Sequence, residues 1–78
     1  MIQAYIMIRV MPGKIAEAVQ LIAQTPGVRS AYAVTGPTDI IAFVEADSMQ
    51  DLGRLIVSRI QGAPGVTRTT TCVVTQVG

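Results

Sequence analysis

The chain has few of the residues from which small proteins build metal or redox sites. It contains no histidine and a single cysteine, Cys72, among its 78 residues. One cysteine excludes an internal disulfide, and without histidine there is no credible set of zinc ligands. We therefore expect neither a metal site nor a cofactor.

The residues needed for catalysis are equally scarce. No histidine is present for general acid–base chemistry, and no nucleophile stands beside a base in the sequence. Cys72 falls in a predicted strand, where a lone cysteine is more often a small buried apolar residue than a reactive thiol. The glycines stand singly at turns and form no phosphate-binding fingerprint. The sequence therefore favours a protein that is not an enzyme.

Charge is also scarce. Charged residues make up 14% of the chain and the net charge is +1, whereas about 25% is usual for soluble domains. Scattered, nearly balanced charge predicts no direct contact with nucleic acid. Polar residues interrupt every long apolar stretch, and the N-terminus has no basic region of the signal-peptide type, so we expect no membrane contact and a cytoplasmic location.

Half of the residues are hydrophobic, which is a high share for so small a domain. A chain of this length buries only about 60% of the surface that its unfolded form exposes, so it is marginally stable alone. Small domains compensate with disulfides, a metal or oligomerisation. Since the first two are excluded, the composition predicts an oligomer.

The pattern along the chain predicts a single domain over residues 1–78. Residues 2–10 alternate as a strand does, and 14–24 have the spacing of an amphipathic helix. Strands are predicted at 28–35, 39–46 and 66–77, and a second helix at 48–61. "TPGV" ending at Val28 and "APGV" ending at Val66 mark two similar halves. The prediction is an α+β, ferredoxin-like β-α-β-β-α-β fold with an antiparallel four-stranded sheet of order 4-1-3-2.

Helices on one side of this sheet would leave its other face bare. That face presents Tyr5 and Met7 on the first strand and Ile41 and Phe43 on the third. A large exposed apolar patch marks an interface. We therefore expect two copies to pack sheet against sheet through these four residues, as a dimeric α+β barrel.

The polar candidates for a binding site lie at two places. Gly36, Thr38 and Asp39 connect the second and third strands, and threonines crowd the fourth. We expect the hairpin and the fourth strand at opposite edges of the sheet, so that one subunit need not bring them together, whereas neighbouring subunits could. One interpretation is that Asp39 only forms a turn and threonine merely suits a strand. The other is an amino-acid site, in which the carboxylate binds an α-ammonium while turn N–H groups and hydroxyls bind an α-carboxylate.

Two segments resemble a known family. "VTGPTDIIAFVEADSMQDLGRLI", followed by "GVTRTTTCVV", is similar to the effector-binding domain of the Lrp/AsnC transcription regulators, also called the RAM domain. The likeness covers nearly the whole chain. The chain departs from the family pattern at Thr38, where an aromatic residue is usual.

The resemblance implies an oligomeric module that senses or modulates amino-acid metabolism. Dimers would assemble into a ring, an octamer or a decamer, with a small amino-acid effector in clefts between dimers. The ligand-binding positions would be Gly36, Thr38, Asp39, Thr69 and Thr71. Since no helix-turn-helix pattern is found, we expect a stand-alone RAM domain with no DNA-binding domain, acting alone or with a full-length Lrp/AsnC regulator.

Two alternatives remain open. One is a small α+β-barrel enzyme of the monooxygenase or isomerase type, against which the lack of histidine counts. The other is a purely structural oligomerisation module.

Overall fold

Strands and helices follow one another in the predicted order. The computed structural model describes residues 1–78. Its elements are β1 (Ile2–Val10), α1 (Ile15–Ala23), β2 (Val28–Ala33), β3 (Ile40–Ala46), α2 (Met49–Leu55), a π-helical continuation (Ile56–Ile60) and β4 (Val66–Val73). The strands form one antiparallel sheet in the order β2-β3-β1-β4, which is the predicted order read from the other edge. The ferredoxin-like fold is thereby confirmed.

The core lies between the helices and one face of the sheet. Every second residue of β1 from Ala4 to Val10 is buried there, because side chains of a strand alternate between its faces. Each buried isoleucine contributes about 1.5–3 kcal/mol to folding. The buried apolar residues are Ala4, Ile6, Ile8, Val10, Ala18, Ile22, Ile40, Ala42, Val44, Leu52 and Ile60.

Local signals set the start of the second helix and the approach to β4. Ser48 caps α2, since its Oγ accepts a hydrogen bond from the Asp51 N–H at 3.1 Å. Gly65 precedes β4 with a φ of +83°, and a Cβ at this position would lie 2.5 Å from the Cβ of Lys14. A residue with a side chain would therefore clash with Lys14, and its Cβ would also lie 3.3 Å from a side-chain carbon of Val10 at the end of β1.

The helix-free face of the sheet carries the four predicted interface residues as one block. Tyr5 is the register partner of Phe43, and Met7 is the partner of Ile41. The Tyr5 and Phe43 rings lie 4.9 Å apart between centroids. Cys72, opposite Tyr5 on β4, is exposed, whereas the sequence favoured a buried position. It is exposed because this strand position points to the face that no helix covers.

None of the helices has the length and the apolarity that crossing a membrane would require.

Candidate ligand site at the hairpin end of the sheet

The connection between β2 and β3 is bound to the end of β1. Gly36, with a φ of +126°, makes the turn at a position where an added Cβ would meet nothing within 4 Å. The Val34 N–H donates to the Asp39 carbonyl at 2.9 Å, and the Asp39 N–H donates to the Ile8 carbonyl at 3.0 Å. These bonds fix the hairpin against the central strand.

Asp39 has a structural role inside the protomer. Its Oδ2 accepts a hydrogen bond from the Val10 N–H at 2.8 Å and lies 3.5 Å from Nε of Arg9. The side chain remains 24% exposed. Because both contacts use Oδ2, Oδ1 is the carboxylate oxygen left for a ligand.

Thr38 is buried, and its hydroxyl is used within the fold. Its Oγ1 lies 3.0 Å from the Ile8 carbonyl oxygen and 3.3 Å from that of Ile40. A hydroxyl has a single proton, so Thr38 shares it between these two acceptors. Its hydroxyl thus ties the start of β3 to β1, while its side chain also borders the cavity described next.

A cavity of about 480 Å³ opens beside the hairpin on the helix-free face. Ligand pockets commonly measure about 300–1,000 Å³. The lining residues are Met7, Arg9, Pro37, Thr38, Thr67, Arg68 and Thr70. One protomer therefore brings the hairpin and β4 together by itself, although the sequence predicted them at opposite edges of the sheet. The reason is that β3 and β4 both pair with β1, on its two sides.

Thr69 and Thr71 lie on the other face of β4. They are register partners of Ile8 and Ile6, which are fully buried beneath the helices. Gln61, at the end of the helical segment, donates from Nε2 to Thr69 Oγ1 at 3.1 Å. These two hydroxyls are therefore directed toward the helix layer and do not line the cavity.

A β-bulge explains why Thr67 and Arg68 both line the cavity although they are adjacent. The register between β1 and β4 shifts between Arg9 and Val10, so that Arg68 pairs with Arg9 and Val66 pairs with Val10. A bulge leaves one residue unpaired and re-aims its side chain. That residue is Thr67, whose hydroxyl donates to the Arg9 carbonyl at 3.3 Å.

The two arginines of the cavity were not predicted as site residues from the sequence. Alternation along β1 would have placed Arg9 beside Tyr5 and Met7. Arg68 could be placed only by the register between β4 and β1. Arg9 also donates from one guanidinium nitrogen to the Pro37 carbonyl at 2.7 Å, which holds its side chain over the hairpin.

The arrangement offers hydrogen-bond donors, hydroxyls and positive charge. No three histidine, cysteine, aspartate or glutamate side chains come together where they could hold a metal ion. The cavity suits a small polar molecule that presents acceptors to the arginines.

A family model described as the Lrp/AsnC ligand binding domain matches residues 3–77. The chain belongs to this family. The resemblance noted in the sequence is thereby confirmed. An Lrp/AsnC ligand-binding domain is a regulatory module, which agrees with a site that offers polar contacts.

One curated relative of this Lrp/AsnC domain is an uncharacterized HTH-type transcriptional regulator of Pyrococcus horikoshii. It is 32% identical over 57 residues, which are 73% of this chain and 38% of that protein. The chain thus matches little more than a third of that regulator's length.

Two solved structures illustrate the likeness of fold. A protein of Thermus thermophilus is 31% identical with a TM-score of 0.95, over 100% of this chain and 98% of that one. A transcriptional regulator of Neisseria meningitidis, solved in complex with L-Met, has a TM-score of 0.80 and 21% identity. That alignment covers 96% of this Lrp/AsnC domain and 50% of the regulator.

Proposed function

We propose that this domain is an oligomeric effector-binding module that binds a small amino acid and thereby senses or modulates amino-acid metabolism. The observation that carries the proposal is the polar cavity at the hairpin, bordered by Thr38 and by β4, in a chain of the Lrp/AsnC ligand-binding family. The neisserial regulator of the same fold was solved with L-Met, which supports an amino acid as the class of effector.

In the proposed site, Asp39 binds the ammonium group of the effector. Its Oδ1 is the oxygen that the fold does not use, and its Oδ2 is held in place by the Val10 N–H. Gly36 leaves the turn backbone open to a carboxylate, since no side chain covers it. Thr69 and Thr71 lie on the helix side of the edge strand β4, so they would reach an effector only across a contact with a neighbouring dimer.

The proposed assembly begins with a dimer. The block formed by Tyr5, Met7, Ile41 and Phe43 is an apolar surface that two sheets packed face to face would bury. Dimers would then form a ring, an octamer or a decamer. The chain would bind no DNA by itself, because its net charge is only +1 and strong DNA binding depends on many phosphate contacts.

Titration calorimetry with each of the twenty amino acids, combined with native mass spectrometry, tests the proposal. We expect one amino acid, or a few of similar chemistry, to bind, and we expect the ligand to appear on the assembled species. A ring that forms but binds none of the twenty would indicate a structural oligomerisation module. Turnover of a substrate would instead support the barrel-enzyme alternative.

A further inference from the structure

Two arginines face each other across β1 and β4 at the cavity. Arg9 and Arg68 are direct register partners. In antiparallel strands the Cβ atoms of such partners lie about 4.5–5.5 Å apart, and like charges at these positions are destabilising. The fold thus places two guanidinium groups side by side at some cost to its own stability.

The two positive charges are compensated unequally. Arg9 is paired with Asp39 and donates to the Pro37 carbonyl. Arg68 is exposed and makes no ion pair or hydrogen bond within the protomer. Within one protomer, the cavity therefore carries one positive charge that no carboxylate of the same chain compensates, on Arg68.

The other groups of the cavity also lack a negative partner for Arg68. A guanidinium offers five N–H donors and no acceptor. Met7 is the only hydrophobic residue among the seven that line the cavity, and no carboxylate lines it. The Thr70 hydroxyl, opposite Met7 on the same face, makes no hydrogen bond within the protein and is free to bind a ligand. What the cavity lacks is an anion that can accept several hydrogen bonds.

We infer that the cavity binds a second carboxylate of the effector between Arg9 and Arg68. Since the proposed function places the α-carboxylate at the Gly36 turn, the effector is then a dicarboxylic molecule such as an acidic amino acid. Arginine pairs with carboxylates through two parallel hydrogen bonds, which gives both strength and orientation. The inference rests on the proposed function, in which Asp39 binds the ammonium group. Asp39 does not line the cavity itself but lies next to it, 3.5 Å from Nε of the lining residue Arg9, while Arg68 selects a negatively charged ligand.

A binding role for the arginine pair predicts a different effect of mutation on stability than a purely structural role does. Because Arg68 repels Arg9, replacing Arg68 with glutamine should leave the ligand-free protein as stable as before or more stable. The same change should weaken the binding of anionic ligands. A residue retained only for folding would show loss of stability instead.

The test compares Arg68→Gln with a matched control, Arg59→Gln. Arg59 is also exposed and makes no ion pair, but it lies in the π-helical segment on the opposite side of the sheet. Both variants lose one positive charge. Titration calorimetry and thermal melts at constant ionic strength would use L-glutamate, L-aspartate, L-glutamine, L-asparagine, succinate and inorganic phosphate as probes, since screening changes with salt.

We expect an acidic amino acid to bind at least ten-fold more tightly than its amide. We also expect Arg68→Gln to raise the Kd of that acid at least ten-fold without lowering the ligand-free melting temperature. Arg59→Gln should bind as the unmodified protein does.

Other outcomes separate this inference from the proposed function. Amides that bind as tightly as the acids, or equal affinity in Arg68→Gln and Arg59→Gln, would overturn the inference and leave amino-acid binding intact. Binding of succinate but of no amino acid, lost in Arg68→Gln, would support the carboxylate site and overturn the proposed function. Binding of phosphate alone would overturn the inference, and binding of no probe would overturn the site itself.

Discussion

Replacing Asp39 separates its structural contact from its proposed contact with an effector. Alanine removes the acceptor of the Val10 N–H, a bond of 2.8 Å, and the partner of Arg9 at 3.5 Å. A hydrogen bond to a charged group contributes about 1.5–3 kcal/mol. The Arg9 side chain is 55% exposed, so the ion pair adds only about 0–1 kcal/mol. We expect Asp39→Ala to lower the free energy of unfolding by about 2–3 kcal/mol.

Asparagine keeps the shape and an oxygen that accepts from the Val10 N–H, but it removes the charge. We expect Asp39→Asn to cost about 1 kcal/mol, because a neutral acceptor forms a weaker hydrogen bond. For a domain of this size, about 1 kcal/mol corresponds to about 4–8 °C in melting temperature. The alanine variant should therefore melt about 8–24 °C lower than the unmodified protein, and the asparagine variant about 4–8 °C lower.

The ligand response is measured on the same variants at one fixed protein concentration. An effector that binds only the folded state, at about 100 times its Kd, adds about 2.7 kcal/mol per site. We expect this increase in the unmodified protein and its absence in Asp39→Asn. Asp51→Asn is the matched control, because it removes a carboxylate whose only ion pair is an exposed contact with Arg54 at 3.6 Å.

Two results would refute parts of this reasoning. If Asp39→Ala is as stable as the control variant, the carboxylate does not hold the end of β1. If Asp39→Asn is less stable but binds the effector with unchanged affinity, Asp39 acts only in the turn and the ammonium of the effector is bound elsewhere.

Three further predictions concern assembly, stability and DNA. Phe43→Asp should convert the oligomer into monomers in sedimentation velocity, because burying an unpaired charge costs several kcal/mol. The control Val57→Asp changes a residue that is 64% exposed and should leave the oligomer intact. If both variants sediment alike, Phe43 does not lie in the interface. Gly53→Ala should raise the free energy of unfolding, measured in urea, by about 1 kcal/mol, because alanine has the higher helix propensity and the added Cβ meets nothing within 4 Å. Gly65→Ala should lower the free energy of unfolding. If Gly65→Ala is the more stable of the two variants, this reasoning is wrong. The pure protein should not retard duplex DNA in a gel at about 50 mM salt, where electrostatic binding to DNA is still strong. Retardation that disappears as the salt concentration is raised would show that the protein does bind DNA.

Local patterns in the sequence were sufficient for the elements and their order. The alternation of β1 identified its buried face, and Ser48 identified the start of α2. Alternation along β1 and β3 also predicted that Tyr5 and Phe43 share the helix-free face, whereas their direct pairing depends on the register between the two strands. These features depend on residues close in the chain or on the hydrophobic pattern alone.

Which residues form the candidate site depends on the register between β4 and β1. This register joins residues that are far apart in the chain: Thr67 and Arg9, which share a hydrogen bond, are separated by 58 positions. Alternation shows that Thr69 and Thr71 share a face, but only pairing with Ile8 and Ile6 shows that this face meets the helices. The bulge at Thr67 then places Thr67 and Arg68 together at the cavity. In the same way, the Val10 N–H at the end of β1 determines which oxygen of Asp39 remains free. Such pairings follow from tertiary contacts, since no local propensity distinguishes one threonine of β4 from the next or assigns Arg68 to a face.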